Sequence, residues 1–105
     1  MSELATDQIE PVSVKLIGVL GSAAGNRDLI VPVRSALSVQ ELVSTLLRQV
    51  GTKTFRDLLV DGGTEDPRAN VIILLNDQDY NIFEGLKTTV EPGTKVTIIP
   101  VAHGG

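Results

Sequence analysis

Residues 38–51 read SVQELVSTLLRQVG, and this stretch decides the fold. Ser38 and Glu41 stand three apart. At that spacing a serine hydroxyl caps the first helical amides while a glutamate reaches back to the serine N–H. Val39, Leu42, Val43, Leu46, Leu47 and Val50 then recur at helical spacing, and Gln40, Glu41, Ser44, Thr45, Arg48 and Gln49 fill the other side. Gly51 supplies the stop. A helix with one apolar stripe has to bury that stripe, so the flanking sequence must supply the surface that covers it.

Upstream, Val12, Val14, Leu16 and Leu20 alternate with Ser13, Lys15 and Val19, which predicts a strand. Gly21 to Asn26 is turn material. Leu29, Val31 and Val33 then alternate with Ile30, Pro32 and Arg34, predicting a second strand that returns as a hairpin. Pro32 has no N–H to give to a ladder, which places this strand at a sheet edge. Downstream, Phe55, Leu58 and Leu59 predict a short second helical turn, and Asp61 to Arg68 (DGGTEDPR) a loop. The apolar run Val71 to Leu75 predicts a central strand, Asn76 to Asp79 a turn, and Ile82, Phe83 and Leu86 a short irregular crossing. Glu91-Pro92-Gly93-Thr94 carries Pro and Gly where a type II turn requires them, and Val96 to Pro100 is the last strand.

The order is strand, strand, helix, strand, short segment, strand. It predicts an α+β fold of the β-grasp type: a mixed sheet of four to five strands with one main helix packed across one face. The first and last strands are expected side by side at the centre. The chain divides into a disordered acidic tail over residues 1–10, the β-grasp domain over 11–100 and a flexible C-terminal tail over 101–105.

The totals exclude several functions. A chain of 105 residues makes one domain. Aromatics are 3%, so the core must be aliphatic. The formal net charge is −4 and the nine basic residues are scattered singly, which argues against direct nucleic-acid binding. With no cysteine, disulfides, thiolate nucleophiles and cysteine metal sites are excluded within the chain. No apolar run reaches the roughly 18 residues of a membrane span. The N-terminal residues hold Glu3, Asp7 and Glu10 without a basic partner, unlike a signal peptide. The expected compartment is the cytoplasm.

Chemistry is concentrated at the end of the chain. The last two residues are Gly104-Gly105. Alone, the pair fits a frayed end as well as a reactive one; its place directly after the last strand of a β-grasp order favours the reactive reading. Val101 to Gly105 spans at most about 17 Å when extended, enough to enter a partner's active site. Two residues without Cβ can thread a narrow channel. The terminal carboxylate, ionised at neutral pH, is an oxygen nucleophile toward the α-phosphate of ATP, and the resulting acyl-adenylate accepts a sulfur or amine nucleophile. His103, the single histidine, has no cysteine or second histidine near it, so it reads as a spacer or a recognition contact rather than a zinc ligand or triad member.

Gly18 to Gly25 lacks the GxGxxG spacing of a phosphate loop and reads as hairpin. Gly62-Gly63, Glu65-Asp66, Asp77 and Asp79 read as solvated loop and turn residues. In the last strand, Val96 and Ile98 face one side; Thr97, Ile99 and Val101 face the other. Ile99 and Val101, extended by Ile30 and Ile17, form a candidate partner patch.

Taken together, Val71-Ile72-Ile73-Leu74-Leu75-Asn76-Asp77, Gly85-Leu86-Lys87-Thr88, Pro92-Gly93 and Val96 to Gly105 resemble the MoaD and ThiS sulfur carriers, the ubiquitin-related modifiers and the small archaeal modifier proteins. The strand order matches over nearly the whole chain, and the motifs over roughly the last 35 residues. The resemblance implies a ubiquitin-like carrier that is not itself an enzyme. An E1-like enzyme, using ATP and Mg²⁺, adenylates Gly105. The glycine then becomes a thiocarboxylate that donates sulfur, as in tRNA thiolation, or forms an isopeptide bond with a lysine of a target protein. Gly104, His103, Val101, Ile99 and Thr97 are the implied partner contacts. No cofactor is expected on this chain. Its partners are the activating enzyme and either target proteins or sulfur-accepting enzymes, and it is expected to be monomeric and free of membrane contact. The alternatives are a MoaD-like small subunit of molybdopterin synthase and a β-grasp interaction domain whose tail does no chemistry. Asp77 departs from the glycine common in relatives at that turn, and Thr94 from the aspartate.

Overall fold

Ser38 and Glu41 cap each other as the sequence predicts. The Ser38 Oγ accepts the Glu41 N–H at 3.0 Å, and the Glu41 Oε1 accepts the Ser38 N–H at 2.8 Å. The helix they start runs Val39–Val50, and Gly51 ends it in the left-handed region at φ 73°. The computed structural model describes residues 10–79 and 85–101. In chain order the strands are β1 (Val12–Leu16), β2 (Asp28–Val31), β3 (Leu37–Ser38), β4 (Val71–Leu75), β5 (Gln78–Asp79), β6 (Thr89–Val90) and β7 (Lys95–Pro100). The helices are α1 (Val19–Ala24), α2 (Val39–Val50) and α3 (Lys53–Leu59), with a 3-10 turn at Gly85–Lys87.

The main sheet has the order β2-β1-β7-β4-β5, and β3 pairs with β6 in a separate two-stranded ladder. β1 and β7 run parallel in the middle; every other pair is antiparallel. A parallel pair needs a long crossover, and α2 and α3 lie in that connection. One face of the sheet, carrying Val12, Val14, Leu16, Ile73, Val96 and Ile98, buries against Val39, Leu42, Val43, Leu46 and Leu47 of α2. Phe55 and Leu59 of α3 close the core, which is otherwise aliphatic. This is the β-grasp arrangement, with β2 at an edge where Pro32 follows it. The turn at Glu91–Thr94 also forms as expected. Gly93 has φ 87°, the Thr94 N–H reaches the Glu91 carbonyl at 3.1 Å, and the Thr94 hydroxyl donates to the same oxygen.

Three local expectations are corrected. The first strand ends at Leu16 rather than continuing to Leu20, and the stretch read as turn contains α1. Leu20 is fully buried and anchors this helix, with Ala23 and Ala24 packed on the core beside it. Gly21 is needed for packing rather than for a turn: a Cβ there would stand 2.7 Å from the Arg27 Cγ and 3.1 Å from the Leu16 carbonyl oxygen. Second, the turn expected over Asn76–Asp79 is only Asn76-Asp77, and Gln78–Asp79 returns as β5. Third, β3 and β6 are additional strands. The crossing expected at Ile82 and Phe83, and the acidic tail apart from Glu10, lie outside the described residues.

The loop 61–68 is tied to both long helices. Glu65 accepts the Ser44 hydroxyl through its carboxylate and the Gln40 side-chain amide through its carbonyl at 2.8 Å, and Arg56 donates to the Thr64 carbonyl at 3.2 Å. Among the described residues no helix is long and apolar enough to cross a membrane.

Candidate functional site

Strand β7 has two unlike sides because its side chains alternate. Val96 and Ile98 are buried under α2, whereas Thr97 and Ile99 are half-buried on the opposite face, which no helix covers among the described residues, and Val101 is exposed. The registers sort that open face into rows. Ile99 stands opposite Ile72 of β4, and β1 continues past its Leu16–Ile98 pair so that the Ile17 N–H donates to the Ile98 carbonyl at 3.0 Å. Ile17, Ile99 and Ile72 therefore form one β-branched row across three neighbouring strands. The next row is Asp28, Lys15, Thr97, Leu74 and Asp79. The row beyond it carries Ile30, Ser13 and Lys95.

The end of β7 is fixed by Asn70. The Val101 N–H donates to the Asn70 carbonyl at 3.0 Å. The Asn70 side-chain amide in turn donates to the Val60 carbonyl at 3.0 Å and the Asp57 carbonyl at 3.3 Å, the unpaired end of α3. The Asn70 and Val71 N–H groups both reach the Pro67 carbonyl. On the other side of β7, a Cβ placed on Gly18 would lie 3.8 Å from the Pro100 Cγ, so the start of α1 borders the strand's end. The backbone is thus held up to Val101, at the corner of the sheet where the isoleucine row lies.

Of the residues singled out from the sequence, Thr97, Ile99 and Val101 share the open face as expected. His103, Gly104 and Gly105 lie outside the described residues. Ile30 does not extend the patch. It pairs with Ser13, itself opposite Lys95 at the start of β7, about 20 Å along the strand from Val101 at the usual rise. Two apolar residues missed from the sequence do belong to this corner. Ile72, 41% exposed, is hidden in an apolar run that gives no sign of which side is covered, and Val19, 54% exposed, falls in the stretch read as a continuation of the first strand.

Charge near the corner is local. Arg68 forks onto Asp66, with Nη2 2.6 Å from Oδ2 and Nε 3.0 Å from Oδ1. These bonds and the Arg68 N–H hold the Asp66 carboxyl below its ordinary range. Among the described residues no group of three or more His, Asp or Glu side chains is placed to hold a metal ion. What the arrangement offers is an apolar corner at the end of β7.

Comparison with known proteins agrees with this fold. The model of the ThiS family matches residues 14–105. Ubiquitin-related modifier 1 of Schizosaccharomyces pombe is 28% identical over 91 residues, covering 77% of this chain and 92% of the relative. The solution structure of the Haloferax volcanii HVO 2177 protein superposes with a TM-score of 0.73 at 15% identity, over 92% of this chain and 88% of that one. That of small archaeal modifier protein 1 (SAMP1) from Methanosarcina acetivorans gives 0.70 at 22% identity, over 93% and 99%. These structures share the ubiquitin-like β-grasp fold.

Proposed function

This chain belongs to the ThiS family of small ubiquitin-like carrier proteins, and we propose that it carries its chemistry on Gly105, which an E1-like enzyme activates. The enzyme supplies the ATP site. The Gly105 carboxylate oxygen attacks the α-phosphorus of ATP, the bond to the β-phosphate oxygen breaks, and pyrophosphate leaves with Mg²⁺ balancing its charge. The acyl-adenylate then loses AMP to a nucleophile. A sulfur nucleophile leads to a thiocarboxylate, the donor for reactions such as tRNA thiolation; a lysine amine of a target protein leads to an isopeptide bond.

The observation that carries this reading is the end of β7. Its last described backbone bond, Val101 to Asn70, lies four residues before Gly105 and beside the isoleucine row. Four extended residues reach at most about 14 Å, and two of the four are glycines able to enter a narrow channel. His103 and Gly104 then serve as contacts within that channel, and Ile99, Val101 and Thr97 as contacts on the body. The chain works as a monomer in the cytoplasm, holds no cofactor of its own, and meets a target protein or a sulfur-accepting enzyme after activation.

The test is the intact mass after incubation with the cognate E1-like enzyme, Mg-ATP and a sulfur donor. Replacement of the terminal oxygen by sulfur supports the carrier reading. Lysine-linked conjugates in cells that vanish on deletion of Gly105 establish the modifier role. With an enzyme active on a control substrate, a chain that yields no adenylate, thiocarboxylate or conjugate refutes the proposal.

A further inference from the structure

We infer that α1 is part of the surface on which the adenylating enzyme docks, with Ile17 and Val19 as side chains that it covers; this rests on the reading of Gly105 as the activated residue. Val19 is 54% exposed, more than any other large apolar side chain among the described residues. Its exposure is built in. Leu20 beside it is fully buried, Gly21 is wedged against Arg27 and the Leu16 carbonyl, and Gly25 closes the helix at φ 78° with its N–H on the Ser22 carbonyl at 3.2 Å. The fold therefore holds α1 firmly while presenting Val19 to the outside.

The tether decides what covers it. A carboxylate that reacts inside a nucleotide site can be no more than about 14 Å from Val101, so the enzyme's body must close against the corner of the sheet. Gly18 borders Pro100, so the start of α1 lies beside that exit. Ile17 continues the row of Ile99 and Ile72, and Val19 follows it onto the helix. The corner facing the enzyme is thus an apolar rim drawn from β1, α1, β4 and β7. Its natural counterpart is an apolar patch around the mouth of the adenylation site. Such a rim selects a partner by shape and burial, and α1 makes it wider than the sheet alone provides.

The experiment is ATP–pyrophosphate exchange by the cognate E1-like enzyme on the full chain, comparing wild type with Val19→Asp, Ile17→Ser and Ile30→Asp. An acidic residue in the first turn of α1 favours the helix dipole, and circular dichroism checks that each variant is folded. The expected result is a KM raised about tenfold for Val19→Asp, the loss expected when a side chain of this size stops being buried. Ile17→Ser raises it by a similar factor and kcat holds. Ile30→Asp, equally exposed but at the far end of the open face, behaves as wild type. Wild-type KM for both rim variants overturns the inference while the activation of Gly105 stands. Equal damage from Ile30→Asp overturns it too, since the effect is then not local to the corner. A wild-type chain that supports no exchange refutes the proposed function and takes this inference with it.

Discussion

The carbonyl of Asn70 holds the amide of Val101 at 3.0 Å, and the same asparagine ties its side chain to two carbonyls at the end of α3. One residue thus joins the residue that follows β7 to the helix layer. It lies immediately before β4, whose Ile72 stands beside Ile99. The position of Val101 is determined by the core side of the molecule as much as by the sheet.

Asn70→Ala should therefore destabilise the fold by about 1–2 kcal/mol, because the Val60 and Asp57 carbonyls both lose a donor and the Val60 backbone sits in a buried setting. The midpoint of urea denaturation measures this. An unchanged midpoint would mean that water replaces the amide at no cost.

Asp77 has φ 73° and Asn76 φ 49°, so both turn residues occupy the left-handed region of a two-residue hairpin turn. Asn76 suits its place: its N–H reaches the Lys95 carbonyl at 2.8 Å and its Oδ1 accepts the Lys95 N–H at 3.0 Å. Among the described residues Asp77 gains no comparable backbone bond from its side chain. Asp77→Gly should raise stability by about 0.5 kcal/mol, the relief of the Cβ clash less the entropy a glycine adds to the unfolded chain. A rise of a few degrees in Tm is the expected readout, and a fall would show that the aspartate holds the turn by some other contact.

These two sites also show what was legible in the sequence. The cap of α2 was readable because Ser38 and Glu41 act within one helical turn, and the Pro-Gly turn was readable for the same reason. α1 was not, since Gly18, Gly21 and Gly25 mark a turn in any local reading. The helix owes its existence to Leu20, Ala23 and Ala24 meeting a core built from distant strands. β3 and β6 are two residues each, too short to show a period. Thr97, Ile99 and Val101 could be assigned to one face from alternation alone. Ile72 could not, because β4 is apolar on both faces and only the position of α2 separates Ile73, inside, from Ile72, outside. Ile30 misled for the complementary reason: alternation gives the face but not the distance along it.

The Asp66–Arg68 pair gives a pH prediction of definite sign. The Asp66 pKa is lowered in the folded chain, chiefly by the Arg68 side-chain bonds. The pair's contribution to stability is therefore present in full above the unfolded value near 3.8 and is lost as pH falls through the lower folded value. The contribution is small because the site is open to solvent. Asp66→Asn should flatten the acid limb of the urea midpoint against pH relative to wild type while leaving the midpoint at neutral pH little changed. An identical acid limb in the two proteins would show that the pairing does not persist in solution.

If Gly105 is activated as proposed, the short reach from Val101 to Gly105 makes tail length a measurable part of recognition. An enzyme that grips both the apolar rim and the terminal carboxylate spans a fixed distance between them. Inserting two glycines between Val101 and Ala102 adds up to about 7 Å, and the carboxylate of the docked chain no longer meets the nucleotide without slack that must be ordered. Adenylation, followed as pyrophosphate exchange, should lose about tenfold in kcat/KM, with the loss mainly in kcat because the rim contacts are intact. An enzyme that recognised only the terminal residues would find the same ending on the longer tail and turn it over at the wild-type rate. The insertion thus separates recognition of a peptide end from recognition of an end held at a set distance from Ile99 and Val101.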